Sequence, residues 1–331
     1  MCARAASRHT GPSAVSAWSV HRALARGTFV QDGTAGFGDR RGMRSYDTGL
    51  APMNADAGDG WDARGGWDAR GGWEAVPGVR MAGFRDRAAG GLHKRVLPRP
   101  DVVVVIGFGE DPFTVDGATG RQSVRSFVAA PAPGPARVAG ERVECVEMRL
   151  SPPAAYALLG GVLPHPPDRP VVGLDEVWGR QERQLRERLP ETASWEERLA
   201  LVDEFLTRRA ARAPAMAPEV VAAWEHIVTR RGRVRVGELA ASCGWSRKRL
   251  WSRFTAQIGL TPKRAAMLVR FDHAARALRA GRSAADTALA CGYTDQPHLH
   301  RDVLAFAGCT PGALAARAAA PTRRSTEGRN P

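Results

Sequence analysis

Lysine is nearly missing from this chain: Lys94, Lys248 and Lys263 are the whole supply, so 45 of the 48 basic residues are arginines. Such a bias reflects coding composition as much as function. Cysteine is also scarce. The five, at positions 2, 145, 243, 291 and 309, form no CxxC pair and are too sparse for a disulfide framework, which fits a reducing compartment. Cys145, Cys243 and Cys291 read as small buried hydrophobes rather than redox or metal groups. No apolar run approaches the roughly 18 residues of a membrane span. Residues 1–20 carry no apolar stretch of the kind a secretory signal needs. These absences point to a chain without membrane contact, and to a cytoplasmic expectation. There is no GxSxG motif, no phosphate-binding glycine loop and no series of βα repeats. His93, Asp101, Glu110, Asp111 and His165 are loosely spaced and form no recognisable metal triad, so no catalytic residue, metal or cofactor is assigned. A regulator that repairs alkylated DNA would need a metal-held cysteine cluster near its start, and Cys2 stands alone there.

What is present is positive charge, and it is uneven. The chain of 331 residues carries a formal net charge of +14, of which +11 falls in residues 215–331, against +1 in 1–78 and +2 in 79–214. A near-neutral front and a basic back are expected if only the back touches a phosphate backbone.

Composition and pattern divide the chain further. Residues 1–78 hold no lasting period. The segment Gly60–Gly65 reads GWDARG, Gly66–Gly71 repeats it and Gly72–Ala75 begins a third copy. The expectation is a low-complexity, disordered leader, with a Trp-bearing docking segment or an over-extended start before Met53 as alternatives. Residues 79–210 read as a small, mainly β domain. Val102–Ile106 is a β-branched run, Phe113–Val115 and Val124–Val128 are shorter candidates, and Val143–Leu150 alternates with Val146, Met148 and Leu150 on one face and Glu147 and Arg149 on the other. Helices follow: one amphipathic stretch over Leu174–Leu189, and another over Trp195–Arg209 entered through a capping box of Ser194 and Glu197. Residues 211–217 form a linker, 218–320 an all-α domain and 321–331 a disordered tail. The fold class expected is α+β: an N-terminal degenerate β-barrel-like domain with trailing helices, then two helix-turn-helix units joined by a long helix.

The all-α domain contains an internal repeat. Val236–Ala241 is a short helix closed by Cys243-Gly244, and Ser246 caps a second, SRKRLWSRFTAQIG, with Leu250 and Phe254 four apart on its buried face. Thr261-Pro262 starts a long helix to about Ala280, with Met267, Phe271, Ala274, Ala277 and Leu278 facing inward. The plan recurs about 48 residues later: Ser283 opens a short helix closed by Cys291-Gly292, Asp295 caps DQPHLHRDVLAFAG with Leu299 in the place of Leu250, and Thr310-Pro311 restarts the chain. In such a unit the second helix enters the major groove while the first holds its apolar face. Its free face carries Arg247, Lys248, Trp251 and Ser252, flanked by Arg249 and Arg253, in the first copy. Arg and Lys donate to guanine or phosphate. Trp251 packs on a thymine methyl or sugar, or fills the space between helices. The second copy offers Gln296, His298, His300 and Arg301. Gln296 suits adenine, whereas His298 and His300 diverge by about 200° on a helix and make a poor metal pair. Asp302 reads as an internal partner for an arginine as readily as a DNA-facing group.

Residues from about Val236 to Leu314 resemble the DNA-binding domain of the AraC/XylS family of bacterial transcription regulators. The matching residues are Ser246, Leu250, Phe254, Gly259 and Thr261-Pro262 in the first unit, and Arg270-Phe271, Ala274 and Leu278 in the linker helix. In the second unit they are Gly292-Tyr293, Asp295-Gln296, His298-Leu299, Arg301, Gly308 and Thr310-Pro311. Two residues depart from the pattern: Val303 replaces a usual Phe and Leu304 a common basic residue. The resemblance implies double-stranded promoter DNA as the partner and an N-terminal domain for effector binding or self-association. RNA polymerase, a small-molecule effector and a second copy of the chain are further partners it allows, in the bacterial cytoplasm at the nucleoid. The competing readings are a non-specific basic nucleoid protein and an enzyme of unknown class in the N-terminal domain.

Overall fold

The computed structural model describes residues 67–319 apart from 74–75, 77, 87–90, 118–119, 132–133, 162 and 164–169. The N-terminal part holds two antiparallel sheets. Strands β1 (Trp67–Trp73), β2 (Val79–Asp86), β4 (Val102–Gly107), β7 (Phe127–Ala129), β9 (Glu144–Leu150) and β10 (Val171–Gly173) form the larger, in the order β1-β2-β9-β4-β7-β10. Strands β3 (Leu92–Val96), β5 (Phe113–Gly117), β6 (Gly120–Val124) and β8 (Ala136–Gly140) form the smaller, in the order β3-β8-β5-β6. The pairs do not close into one barrel among the described residues.

The larger sheet is buried on both faces. Val79, Met81, Val104, Ile106, Val146 and Met148 pack toward helices, and Ala82, Phe84, Val105 and Cys145 pack toward the smaller sheet against Leu92, Phe113, Val115 and Val138. A strand buried on both faces loses the alternation that marks a half-exposed one. That is why VRMAGFRD (β2) carried no strand signal. Cys145 lies wholly inside, and burial, then the carboxylates of Glu147 and Glu144, push its thiol well above the ordinary range, so it stays a neutral apolar group.

The helices on the sheet are α1 (Pro152–Leu158), α2 (Leu174–Trp178), α3 (Arg180–Glu191) and α4 (Trp195–Ala210). The single helix expected over Leu174–Leu189 is two, because Gly179 sits at φ 57, outside the helical region. Likewise Val124–Val128 is not one strand. The chain bends at Arg125 and Ser126, where Ser126 Oγ accepts from Gly107 N at 3.3 Å, and the two halves join different sheets. The Ser194–Glu197 capping box is present as expected. Arg198 fastens α4 down. Its guanidinium lies over the rings of both Phe108 and Trp195, donates to Glu144 at 2.6 Å and donates to the Leu189 carbonyl at the end of α3 at 2.9 Å.

Within the segment expected to be a disordered leader, Trp67–Trp73 forms β1 and pairs antiparallel with β2, from Trp67 opposite Asp86 to Trp73 opposite Met81. Backbone pairing to an available edge supplies what the Gly-rich repeat lacks in side-chain pattern. The rest of the leader, 1–66, and the tail, 321–331, lie outside the described residues. Residues 211–217 are irregular chain, with Met216 buried against the domain that follows.

The C-terminal part is all helical: α5 (Pro218–Thr229), α6 (Val236–Ser242), α7 (Arg247–Ile258), α8 (Pro262–Arg279), α9 (Ala284–Cys291), α10 (Gln296–Ala307) and α11 (Pro311–Ala319). Helix α8 was expected to bury one stripe. Instead Ala265, Leu268, Val269, Phe271, Ala274, Ala275 and Leu278 are all buried while Met267 and Ala277 are half-buried, because helices of both units pack around it. The β domain touches this bundle too. Leu97 and Tyr156 pack against its core, Arg95 Nη2 donates to the Ala307 carbonyl at 2.5 Å, and Arg99 lies 4.0 Å from Asp272. Burial raises the carboxyl of Asp272, and Arg99 and Arg276 pull it back down.

Gly83 makes a close approach that no other residue could: a Cβ there would stand 2.2 Å from the Trp195 ring. Gly83→Ala is expected to lose about 1–3 kcal/mol of stability through overpacking. Equilibrium chemical denaturation checks this, and an unchanged midpoint would contradict the packing of α4 on β2.

Candidate nucleic-acid interface

Each helix-turn-helix unit is built by the same local rules. Helix α7 starts where Ser246 Oγ accepts from Arg249 N at 3.2 Å and stops where Gly259 adopts φ 80. Helix α10 starts where Asp295 Oδ1 accepts from His298 N at 2.7 Å and stops at Gly308, φ 59. The connecting helices repeat the pattern, with Thr261 Oγ1 accepting from Arg264 N at 3.2 Å and Thr310 Oγ1 from Ala313 N at 3.2 Å. Ser283 Oγ accepts from Asp286 N at 3.1 Å to open α9. Prolines 262 and 311 follow their caps in the first turn, where a missing N–H costs nothing.

Helix α7 buries Leu250, Phe254 and Ile258 completely and leaves Arg247, Lys248, Arg249, Trp251, Ser252 and Arg253 exposed. Trp251 is 54% exposed, a cost for an indole with no partner to cover it. Arg249 stacks over the Trp245 ring at 4.7 Å, while the Arg247 guanidinium lies back along Gly237 of α6. The exposed face is therefore cationic with one aromatic.

Helix α10 differs. Leu299, Val303 and Phe306 are fully buried, and Phe306 stacks on Phe271 of α8 with centroids 5.0 Å apart. Gln296, His300, Arg301 and Leu304 are exposed, and Arg301 Nε donates to the Pro297 carbonyl at 3.3 Å. His298 stands apart from these. It is half-buried, its ring meets Tyr293 edge-on at 5.1 Å, and its Nε2 lies 3.4 Å from Arg270 Nη2. The ten residues expected at the interface thus divide into six together on α7, three outward on α10, and His298 turned toward the interior.

Asp302, which the sequence offers as an internal partner for an arginine, is internal, but the sequence did not name Arg270 as that arginine. Arg270 on α8 donates to Asp302 at 3.1 Å and lies over the Tyr293 ring at 4.6 Å. Arg264, earlier on the same helix, lies over Phe306 at 4.4 Å. Burial and then Asp302 push the Tyr293 hydroxyl above its ordinary range, and burial lowers Arg264 despite Asp302 nearby. A signal existed. Leu299, Asp302, Val303 and Phe306 follow helical spacing, so Asp302 interrupts an inward face, and a buried carboxylate needs a cation.

A family profile described as helix-turn-helix domain matches residues 239–317, which spans both units. Residues 239–317 are thus matched as a helix-turn-helix domain. Its solved likenesses are distant. A transcriptional regulator with an AraC-type DNA-binding domain from Chromobacterium violaceum is 24% identical over 31% of this chain and 95% of that one, with TM-score 0.29. A probable AraC family regulator from Rhodopseudomonas palustris is 27% identical over 31% and 98%, with TM-score 0.28. ToxT from Vibrio cholerae is 9% identical over 73% and 98%, with TM-score 0.40. No curated protein matches the chain. Among the described residues no group of three His, Cys, Asp or Glu side chains is placed to hold a metal, and no described helix is long and apolar enough to cross a membrane.

The Arg270–Asp302 pair is 16% and 8% exposed, so breaking it strands a buried charge. Arg270→Ala is expected to cost about 3–5 kcal/mol, and Arg270→Leu with Asp302→Leu to recover much of it. A double-mutant cycle by denaturation reads this. Additive losses would mean the pair does not couple α8 to α10.

Proposed function

We propose that this chain regulates transcription by laying α7 and α10 into two successive major grooves on one face of promoter DNA. The observation that carries the reading is the pair of outward polar helices fixed to one shaft. Helix α8 has 18 residues, about 27 Å at 1.5 Å per residue, and successive grooves on one face are about 34 Å apart. One chain therefore suffices to span the site, although a second copy would double it.

The two helices divide the work. Helix α7 supplies phosphate grip and guanine contacts through Arg247, Lys248, Arg249 and Arg253, with Trp251 and Ser252 against sugar, base edge or thymine methyl. Helix α10 supplies discrimination through Gln296, with His300 and Arg301 beside it. His298 acts in the same interface by holding the start of α10 against Tyr293 and Arg270. The β domain receives a small-molecule effector, and the regulator meets RNA polymerase at the promoter, in the cytoplasm at the nucleoid. The Arg95 and Arg99 contacts to α10 and α8 favour the effector reading, since they give the β domain a hold on the DNA-binding helices. A merely adhesive nucleoid protein would not need the neutral second helix with its own caps.

With the selected operator at fixed salt, Arg247→Ala and Lys248→Ala are expected to weaken binding more than Gln296→Ala, and each to lower the salt slope by about 1. Gln296→Ala is expected to relax preference at one base pair by about 1–3 kcal/mol. Fluorescence titrations across salt and operator variants measure both. Equal losses at all three positions, or equal affinity for operator and random DNA, would overturn the division.

A further inference from the structure

The loop between α5 and α6, residues 230–235, reads RRGRVR and places four arginines in six residues. All four are exposed, as is Arg282 in the loop between α8 and α9. Glu238 lies 3.8 Å from Arg235, whereas Arg230, Arg231, Arg233 and Arg282 have no ion pair among the described residues. The loop is not a loose tether. Arg231 N donates to the Val228 carbonyl at 2.9 Å and Gly232 N to that of Ile227 at 2.8 Å. Arg231 has φ 51 and Gly232 φ 73, two successive left-handed residues. Gly232 lies against the backbone of α8, where a Cβ would stand 2.1 Å from the Ala266 carbonyl oxygen and 2.8 Å from Arg270 N. Glycine or asparagine takes the conformation of Arg231 more readily than arginine does, so a cation is held there at a cost. Arg233 reaches the second unit. A Cβ at Gly292 would stand 2.4 Å from Arg233 Cδ, so its methylenes cover the α9–α10 turn while the residue stays exposed. Burial raises the Cys291 thiol beside that turn, and Arg282, Arg231, Arg233 and Arg270 pull it back, which places loop arginines and Arg282 in one neighbourhood.

We propose that Arg230, Arg231 and Arg233, with Arg282 beside them, form a phosphate clamp on the stretch of DNA backbone between the two grooves that α7 and α10 read. The proposal deepens the groove reading above and rests on it. Like charges gathered without acids repel, and a polyanion relieves that repulsion. Three placements identify the polyanion as this part of the backbone. The loop meets α8 at Ala266 and Arg270, near the middle of its 18 residues, and so midway along the shaft that spaces the reading helices. It leads directly into α6, and Arg282 directly precedes the Ser283 cap of α9; these are the first helices of the two units, which cross the backbone in this plan. Arg233 rests on Gly292, four residues before Gln296 in the turn that leads to α10. Guanidinium groups fork onto phosphate oxygens, and a loop already fixed in place loses little freedom on binding. Such contacts carry no base information. They set the register of one unit against the other on the duplex.

Titrations of the full chain with its selected operator and with random DNA, across salt, test the clamp. Arg230→Gln, Arg231→Asn, Arg233→Met and Arg282→Gln are each expected to lower the salt slope by about 1. Operator and random DNA are expected to lose affinity by the same factor, within about twofold, because phosphate contacts carry no sequence. Methionine keeps a stem over Gly292 and asparagine accepts the left-handed backbone, so lost packing does not mimic lost charge. Arg183→Gln, at an exposed position on α3 of the β domain, removes the same charge elsewhere and is expected to leave the slope as it is. Loop-variant slopes no lower than that of Arg183→Gln would overturn the clamp, and so would altered base preference in place of a uniform loss. Should a variant fail to fold, ethylation interference with the wild-type chain decides. Ethylated phosphates midway between the two read grooves are expected to block binding, and binding that ignores them would overturn the clamp. Wild-type preference is read in the same titrations: unchanged slopes beside an intact operator preference sink the clamp alone, whereas equal wild-type affinity for operator and random DNA sinks the groove reading.

Discussion

An ion pair inside an apolar bundle, Arg270 of α8 with Asp302 of α10, sets the relation between the two DNA-reading units. Apolar packing alone, Phe306 on Phe271 and the fully buried Leu299 and Val303, brings α10 to α8 without strong preference for one rotation. A buried carboxylate has far less freedom. It needs a cationic donor, which Arg270 supplies at 3.1 Å, and Arg270 is in turn held by the Tyr293 ring and His298. The pair thus selects the turn of α10 that presents Gln296, His300 and Arg301 outward. The first unit needs no such device, because α7 buries three large apolar groups at four-residue spacing and is packed by α6, α8 and α5.

Charge is distributed by the same economy. Net positive charge concentrates in the C-terminal third, and there on the outward face of α7. On α10 the acid is inside and the outward residues are nearly neutral. In the proposed reading α7 grips phosphate and α10 discriminates bases, and the one shaft α8 lets them act as a single ligand for DNA. The β domain rests on that shaft and on the end of α10 through Arg99 and Arg95, so any change in its interior has a short path to the spacing of the reading helices.

The C-terminal half was legible because its elements are bounded by local chemistry. Ser246, Thr261, Ser283 and Asp295 cap helices, Gly259, Gly292 and Gly308 end them in left-handed conformations, and the apolar spacing between is helical. The β domain resisted for the opposite reason. Its central strands are buried on both faces, so alternation fails in β2, and β1 exists through pairing with β2 rather than through its own pattern. The face of β9 that carries Glu147 and Arg149 is interior, because the two side chains pair with each other along the strand, Arg149 Nε donating to Glu147 at 2.8 Å. The exposure of Arg247, Lys248, Arg249, Trp251, Ser252 and Arg253 on α7 followed directly from the Leu250–Phe254 spacing. His298 did not, because its orientation depends on Arg270 and Tyr293, which lie elsewhere in the chain.

Hydroxyl-radical footprinting of the full-length protein on its selected operator tests the central claim most directly. The account predicts two protected segments about one helical turn apart on one face of the duplex, given by a single chain, the second lost in Arg270→Ala before the first. Protection of one segment alone, or uniform protection without sequence preference, would contradict it.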